Sequence, residues 1–292
     1  MTCAIMNVDD TQRIDKLLSG IDIPACPDIL VRLQRLLQDP SADLGKVADL
    51  VASDVAVSAG VIKVANSPLS GLSRRLQTVQ HAVPVLGTRA IAGVVAGITL
   101  RSTLDGGGGR MDRFWDTTRR VAAVCRLLSR ELRGVPQEIA YTFGLFHDCG
   151  IPILMRRFPD YRETLIEANA VSGRRFTEVE DARHATNHAV VGYFLARNWG
   201  LADEVSQAIL YHHDFAIFDA GVSAEVARSR TLVAIGALAN RIVRLYLRLS
   251  HDPNWEQCSE AVLLHLGLDD KDFVDLSEQA SEALEADDGA AR

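Results

Sequence analysis

In the stretch "FGLFHDCGIP" a histidine and an aspartate stand side by side, His147 and Asp148, just after the apolar residues Phe143, Leu145 and Phe146. Histidine and aspartate are the usual nitrogen and oxygen ligands of Zn, Mn or Fe ions. An ion held by such a pair can activate water for phosphoester hydrolysis. More imidazoles follow at helical spacing. His188 lies in line with Val191, Gly192, Leu195 and Trp199, the stripe of a buried helix face, and His184 is expected one turn earlier on the same face. In "VSQAILYHHD", Val205, Ile209, His212 and His213 share a stripe. Burying these groups costs several kcal/mol unless they pair with one another or coordinate a metal. A shared polar pocket is therefore expected, either a hydrogen-bonded cluster or the seat of a single ion.

The elements that must position this pocket read as helices throughout. Apolar residues recur at three- and four-residue intervals, and no alternating strand pattern is evident, so the fold is expected to be all-α. Asp54 is placed to cap a helix that runs through Ala65, and Asn66-Ser67-Pro68 should end it. Pro84 in "AVPVLG" should kink or restart a helix. The run "DGGGGRMD", Asp105 to Asp112, is the best candidate linker, because consecutive glycines have the highest backbone entropy and nothing to pack. It lacks the Lys-Ser/Thr of a phosphate-cradling loop. The residues from Asp269 onward carry nine acids against one lysine and suggest an exposed helix with a frayed end.

Composition narrows the class. A hydrophobic content of 48% and a charged content of 24% describe a globular protein, and a net charge of −7 argues against a nucleic-acid surface spread over the molecule. One local exception is the stretch Arg110 to Arg133, with seven arginines against three acids. It reads as a solvated helix face or as a patch for an anionic ligand or acidic partner. The five cysteines show no C-x-x-C spacing, which suits reduced thiols. No signal peptide is evident, and the apolar run "AIAGVVAGITL" is too short to span a bilayer. A cytoplasmic protein without membrane or nucleic-acid partners is expected.

At these residues the chain resembles a known family. "FGLFHDCG", "HAVVGYFLARNWGL" and "AILYHHD" look like the HD superfamily of all-α phosphohydrolases. The upstream segment "IPACPDILVRLQRLLQDPSADLGKVADLVASDVAVSAGVIKVANSPLSG", followed by "AVPVLGTRAI", resembles the N-terminal half of the HDOD (HD-related output domain) family. The resemblance implies two packed helical subdomains. It divides the chain into an extension (1–22), an N-terminal helical half (23–106), a glycine-rich linker (107–111), an HD-like half (112–250) and C-terminal helices with an acidic tail (251–292).

The resemblance also implies which residues should do chemistry. Active HD enzymes hold a first metal with an early histidine, the His–Asp pair and a late aspartate. His147 and Asp148 match the pair, but Thr117 stands at the early position and Asn240 at the late one. HD-GYP phosphodiesterases carry a lysine where Pro152 stands. Asp148, His188, His212 and His213 match the ligands of a second metal site, so one divalent transition ion is conceivable there. With half of the first set gone, the expectation is no catalytic residue, no required cofactor and no enzyme activity. What the resemblance implies is a bacterial signal-transduction output module, an adaptor that binds signalling proteins. Two other readings stay open: a phosphohydrolase or cyclic-dinucleotide phosphodiesterase using one residual ion, and a receptor that captures a nucleotide without cleaving it.

Overall fold

The computed structural model describes residues 17–68, 75–105, 111–132, 134–219 and 221–290. Among these residues every regular element is a helix and no strand occurs, so the fold is all-α, as expected. The chain forms two compact units. One comprises Ala25–Leu145 with the described residues from Asp269 onward; the other comprises Phe146–Leu268 with the described residues up to Pro24.

The first unit begins with Asp28–Gln38, Leu44–Ala52 and Val55–Ala65. Their starts follow from local chemistry. The Asp43 carboxylate accepts from Lys46 N at 2.8 Å, and Asp54 accepts from Val57 N at 2.9 Å, each satisfying an amide with no partner inside its helix. Asn66 ends the third helix and holds the returning chain through paired bonds with Leu76 N and O, both 2.7 Å. Val79–Leu86 then contains Pro84 near its end and gives way at Gly87, whose φ of +79° an L side chain rarely adopts. Thr88–Leu104 leaves at an angle of 117° to it. No single described helix is long and apolar enough to cross a membrane.

The glycine run suggested a break near Gly107. Residues 106–110 lie outside the described residues, and the compact division falls instead between Leu145 and Phe146. The cause is Asp112–Leu132, which buries Val121, Ala122, Val124, Cys125 and Leu128 within the first unit. It approaches the next helix so closely that a Cβ on Gly144 would stand 2.5 Å from the Ala122 Cα. The acidic C-terminal helix, Asp270–Ala290, joins the same unit and is not simply solvated: Ala280, Leu284 and Asp287 are buried. Asp287 pairs with Arg119 and accepts from the Ser67 hydroxyl at 2.7 Å, while Arg120 meets Asp288 at 2.9 Å. Part of the arginine-rich face is thus matched by the chain's own acids.

The second unit is built from Gly150–Arg157, Tyr161–Ala170, Phe176–His184, His188–Asn198, Asp203–Tyr211, Arg230–Tyr246 and Pro253–Leu266. Leu154, Leu195, Trp199, Ile209, Leu238 and Ile242 are fully or almost fully buried and form its core. Trp199 meets Phe146 edge-on at 6.0 Å and donates its indole N–H to Pro24 O at 3.0 Å, a packing role.

Candidate metal centre

Three chain segments of the second unit bring the polar residues together. Asp148 lies in the turn between Phe146 and Gly150, His188 opens the helix that Asn187 caps, and His212 and His213 follow the end of Asp203–Tyr211. The first two segments are pressed against each other: a Cβ on Gly150 would lie 2.1 Å from the His188 carbonyl oxygen, so only glycine fits there. Asn187 accepts from Val190 N at 3.0 Å and fixes where the second helix begins.

The result is a compact donor set. Single ligand atoms of Asp148, His188, His212 and His213 all lie within 4.8 Å of one another. His188 Nε2 stands 3.1 Å from His212 Nε2, and Asp148 Oδ1 stands 3.4 Å from each. Ligands about 2.0–2.1 Å from a tetrahedral ion are about 3.3 Å apart, so these three atoms outline one face of such a site. The other ring nitrogens are already engaged. His188 Nδ1 faces Glu180 Oε2 at 2.7 Å, His212 Nδ1 faces Ile209 O at 2.7 Å, and His213 Nδ1 faces Asn254 Oδ1 at 2.8 Å. Each partner accepts, so each Nδ1 carries the proton and each Nε2 keeps a lone pair; those of His188 and His212 meet at the centre. Outer acceptors of this kind orient and strengthen metal-binding histidines.

Two Nε2 lone pairs 3.1 Å apart repel unless a proton or a cation sits between them. Without a cation, His188 supplies the proton. Burial works against its charge, but Glu180 and the bonds to Asp148 and Glu180 outweigh burial and lift its pKa to about 10. His212 and His213 are held below their usual value, by burial first and then, for His213, by the neighbouring imidazoles. Burial pushes the Asp148 carboxyl up, yet His147 and the close approach of the His147, His188 and His212 rings prevail and hold it well below the usual range. The Asp148 side chain is 27% exposed whereas that of His188 is wholly buried, so solvent reaches the cluster from the Asp148 side. The donor set fits one divalent ion, which Asp148 and the three histidines would hold.

The other half of the His–Asp pair is built differently. Asp148 Oδ2 faces His147 Nε2 at 3.1 Å, and the Asn240 amide reaches the same nitrogen at 3.3 Å. An amide brings no charge to offset a cation. Pro152 is buried in the first turn of Gly150–Arg157, where its missing N–H costs no helical bond, and it supplies no ammonium group. Thr117 belongs to the first unit, partly exposed, with its hydroxyl donating to Arg113 O at 2.8 Å.

Three features lay beyond the sequence reading. His184 does not share the His188 face: its helix ends there, Ala185 takes a left-handed turn (φ 57°), and its ring stacks on Phe158 at 4.4 Å and bonds Thr164 at 2.8 Å. Glu180 and Tyr161 were not anticipated. Fully buried, Glu180 accepts from the Tyr161 hydroxyl, His188 N and His188 Nδ1. Phe176 stacks on His213 at 5.2 Å and walls the cluster. Cys149 is a buried thiol whose hydrogen faces Gly192 O at 3.8 Å, and burial, then Asp148, raises its pKa far above the ordinary range.

Comparison with known proteins places the fold and the family. The HDOD domain model matches residues 23–215. An uncharacterized protein of Treponema pallidum (strain Nichols) is 25% identical over 268 residues, 88% of this chain, and the chain spans about half (49%) of that relative's length. Among solved structures, an HDOD domain protein of unknown function from Geobacter sulfurreducens is 24% identical, with a TM-score of 0.64 over 93% of this chain and 97% of its own. A protein from Shewanella amazonensis SB2B, provisionally named a phosphohydrolase, is 20% identical, with a TM-score of 0.66 over 95% of this chain and 96% of its own. These structural likenesses establish the fold. With two thirds of its length matched by the family model, the chain belongs to the HDOD domain family.

Proposed function

We propose that this protein is a non-catalytic signal-transduction output module that acts by binding other proteins. The observation that carries this reading is the environment of His147. Its Nε2 faces Asp148 and the neutral amide of Asn240, and four residues after Asp148 the chain carries Pro152 rather than a cationic residue. Hydrolysis of a phosphodiester draws on a metal-activated water and on neutralisation of developing charge, often from two ions about 3.5–4 Å apart. On the His147 side, the neutral Asn240 amide stands where a second ion would call for a charged donor. Affinity capture of the tagged full-length chain from its native cell extract tests the interaction. A partner retained equally by the native chain and by an Asp148→Asn variant supports an adaptor role. Loss of every partner together with phosphodiester turnover by the native chain contradicts it.

A second reading is favoured by the four converging donors Asp148, His188, His212 and His213. It holds that one divalent ion resides there and supports residual phosphohydrolase activity. Turnover that follows the ion's removal and return would support this alternative.

A further inference from the structure

We propose that the first unit carries a site for a nucleoside phosphate, made of two adjoining clefts that meet at Arg126 and Tyr141. The smaller, about 70 Å³, is basic: Lys63, Arg119 and Arg126 face it against one carboxylate, Asp287. The larger, about 350 Å³, has an apolar wall of Val85, Leu86, Ala90 and Val94, with Gln137 and Glu138 at its polar edge. This volume lies in the range of small-ligand pockets, which combine apolar walls with a few convergent polar groups. Val85 is 49% exposed, a large apolar side chain left open to the cleft.

The spacing on Asp112–Leu132 explains the basic end. Arg119, Ala123 and Arg126 fall at i, i+4 and i+7, so two arginines share a face with a small residue between them. The molecule itself shows that this face takes an anion: Asp287 sits against Arg119 and accepts from the Ser67 hydroxyl at 2.7 Å. Arg126 is half-buried, and burial followed by Arg130 pulls its pKa down while Tyr141 raises it. Burial pushes the Tyr141 phenol up to about 12, which keeps its proton available for donation. Arginine beside a hydroxyl donor suits a phosphate. The acceptors on Gln137 and Glu138 suit the amino groups of a base, and the apolar wall suits its planar face. Glu138, 3.9 Å from Arg89, would repel a second anionic group, so the phosphate belongs at the Arg126 end.

This site would be a signal input for the output role proposed above. It stands on different residues and is measured separately from partner capture. The test is calorimetric titration of the full chain with guanosine 5′-monophosphate and, separately, with inorganic phosphate. The native chain should bind the nucleotide at least tenfold more tightly than phosphate. Arg126→Gln should weaken both by about 10–100-fold, the loss expected for a charge-assisted bond. Ala90→Phe should weaken the nucleotide alone, and Asp287→Asn should tighten phosphate. Thermal melts establish that each variant is folded; should Arg126→Gln not fold, Ala90→Phe and Arg126→Lys carry the test. Absence of saturable nucleotide binding at millimolar concentration overturns the proposal. So does equal affinity for the two ligands, or an Ala90→Phe variant that is folded and binds the nucleotide like the native chain.

Discussion

Replacing Glu180 by glutamine tests how the imidazole cluster is tuned. Glu180 is fully buried and accepts three bonds, from the Tyr161 hydroxyl, from His188 N at 3.2 Å and from His188 Nδ1 at 2.7 Å. A glutamine has one accepting atom and one donating group. If its NH2 faces Nδ1, the His188 tautomer reverses and Nε2 no longer offers a lone pair to an ion. If its NH2 faces the Tyr161 hydroxyl and His188 N–H, a buried donor meets a backbone donor. The second arrangement leaves a polar group unsatisfied, a cost of about 1–3 kcal/mol. Either way, divalent-ion affinity should fall by about 10–100-fold, the range seen when an outer partner of a metal-bound histidine is lost. That corresponds to about 1.4–2.8 kcal/mol. Competition titration with Zn2+ gives the affinity, the visible absorption of the Co2+ form reports the ligand geometry, and thermal melts without metal give the stability term. Native-like affinity and an unchanged Co2+ spectrum in the folded Glu180→Gln variant would refute the reasoning.

Other consequences follow from named contacts. Gly150→Ala should destabilise the protein by about 1–3 kcal/mol or more in chemical denaturation, because its Cβ would meet the His188 backbone, which has no rotamer to move. Asp287→Asn should cost about 1–3 kcal/mol in the same measurement, since it weakens the bonds to Arg119 and Ser67. For pH, His212 and His213 have folded-state pKa values below the ordinary 6.5. The unfolded chain therefore binds more protons below about pH 6.5, and stability falls as the pH drops through that region, by up to about 1.4 kcal/mol per unit for each histidine. Denaturation of the metal-free protein across pH 4–7 should show this slope, and His213→Gln should make it shallower.

Much of the fold was legible in the sequence where a local rule governs. Asp54 predicts its helix because one carboxylate three residues before an amide is sufficient for a cap. The His188 stripe was readable because it runs within one unbroken helix, with Val191, Leu195 and Trp199 all buried. The misplacement of His184 has the opposite cause: helical phase was carried through Ala185, where the chain turns left-handed. Glu180 lies across that turn from His188, flanked by the charged residues Glu178 and Asp181, and no local pattern marks it as buried. The pairing of Arg119 with Asp287 joins residues 168 apart, and nothing in local patterning links such positions, although their opposite charges were visible in the sequence. The division between Leu145 and Phe146 was hidden for a related reason: it is set by packing of Asp112–Leu132, which composition does not encode, whereas the glycine run was conspicuous.

Under the proposed reading, the His147–Asp148 pair serves one ion through Asp148 and not a second through His147. Elemental analysis of the purified chain after equilibration with Mn2+, Fe2+ or Zn2+, combined with a phosphodiester turnover assay on the same sample, addresses this directly. The expected result is at most one equivalent of metal per chain and no turnover above the metal-only rate. Two equivalents per chain with sustained turnover would contradict it.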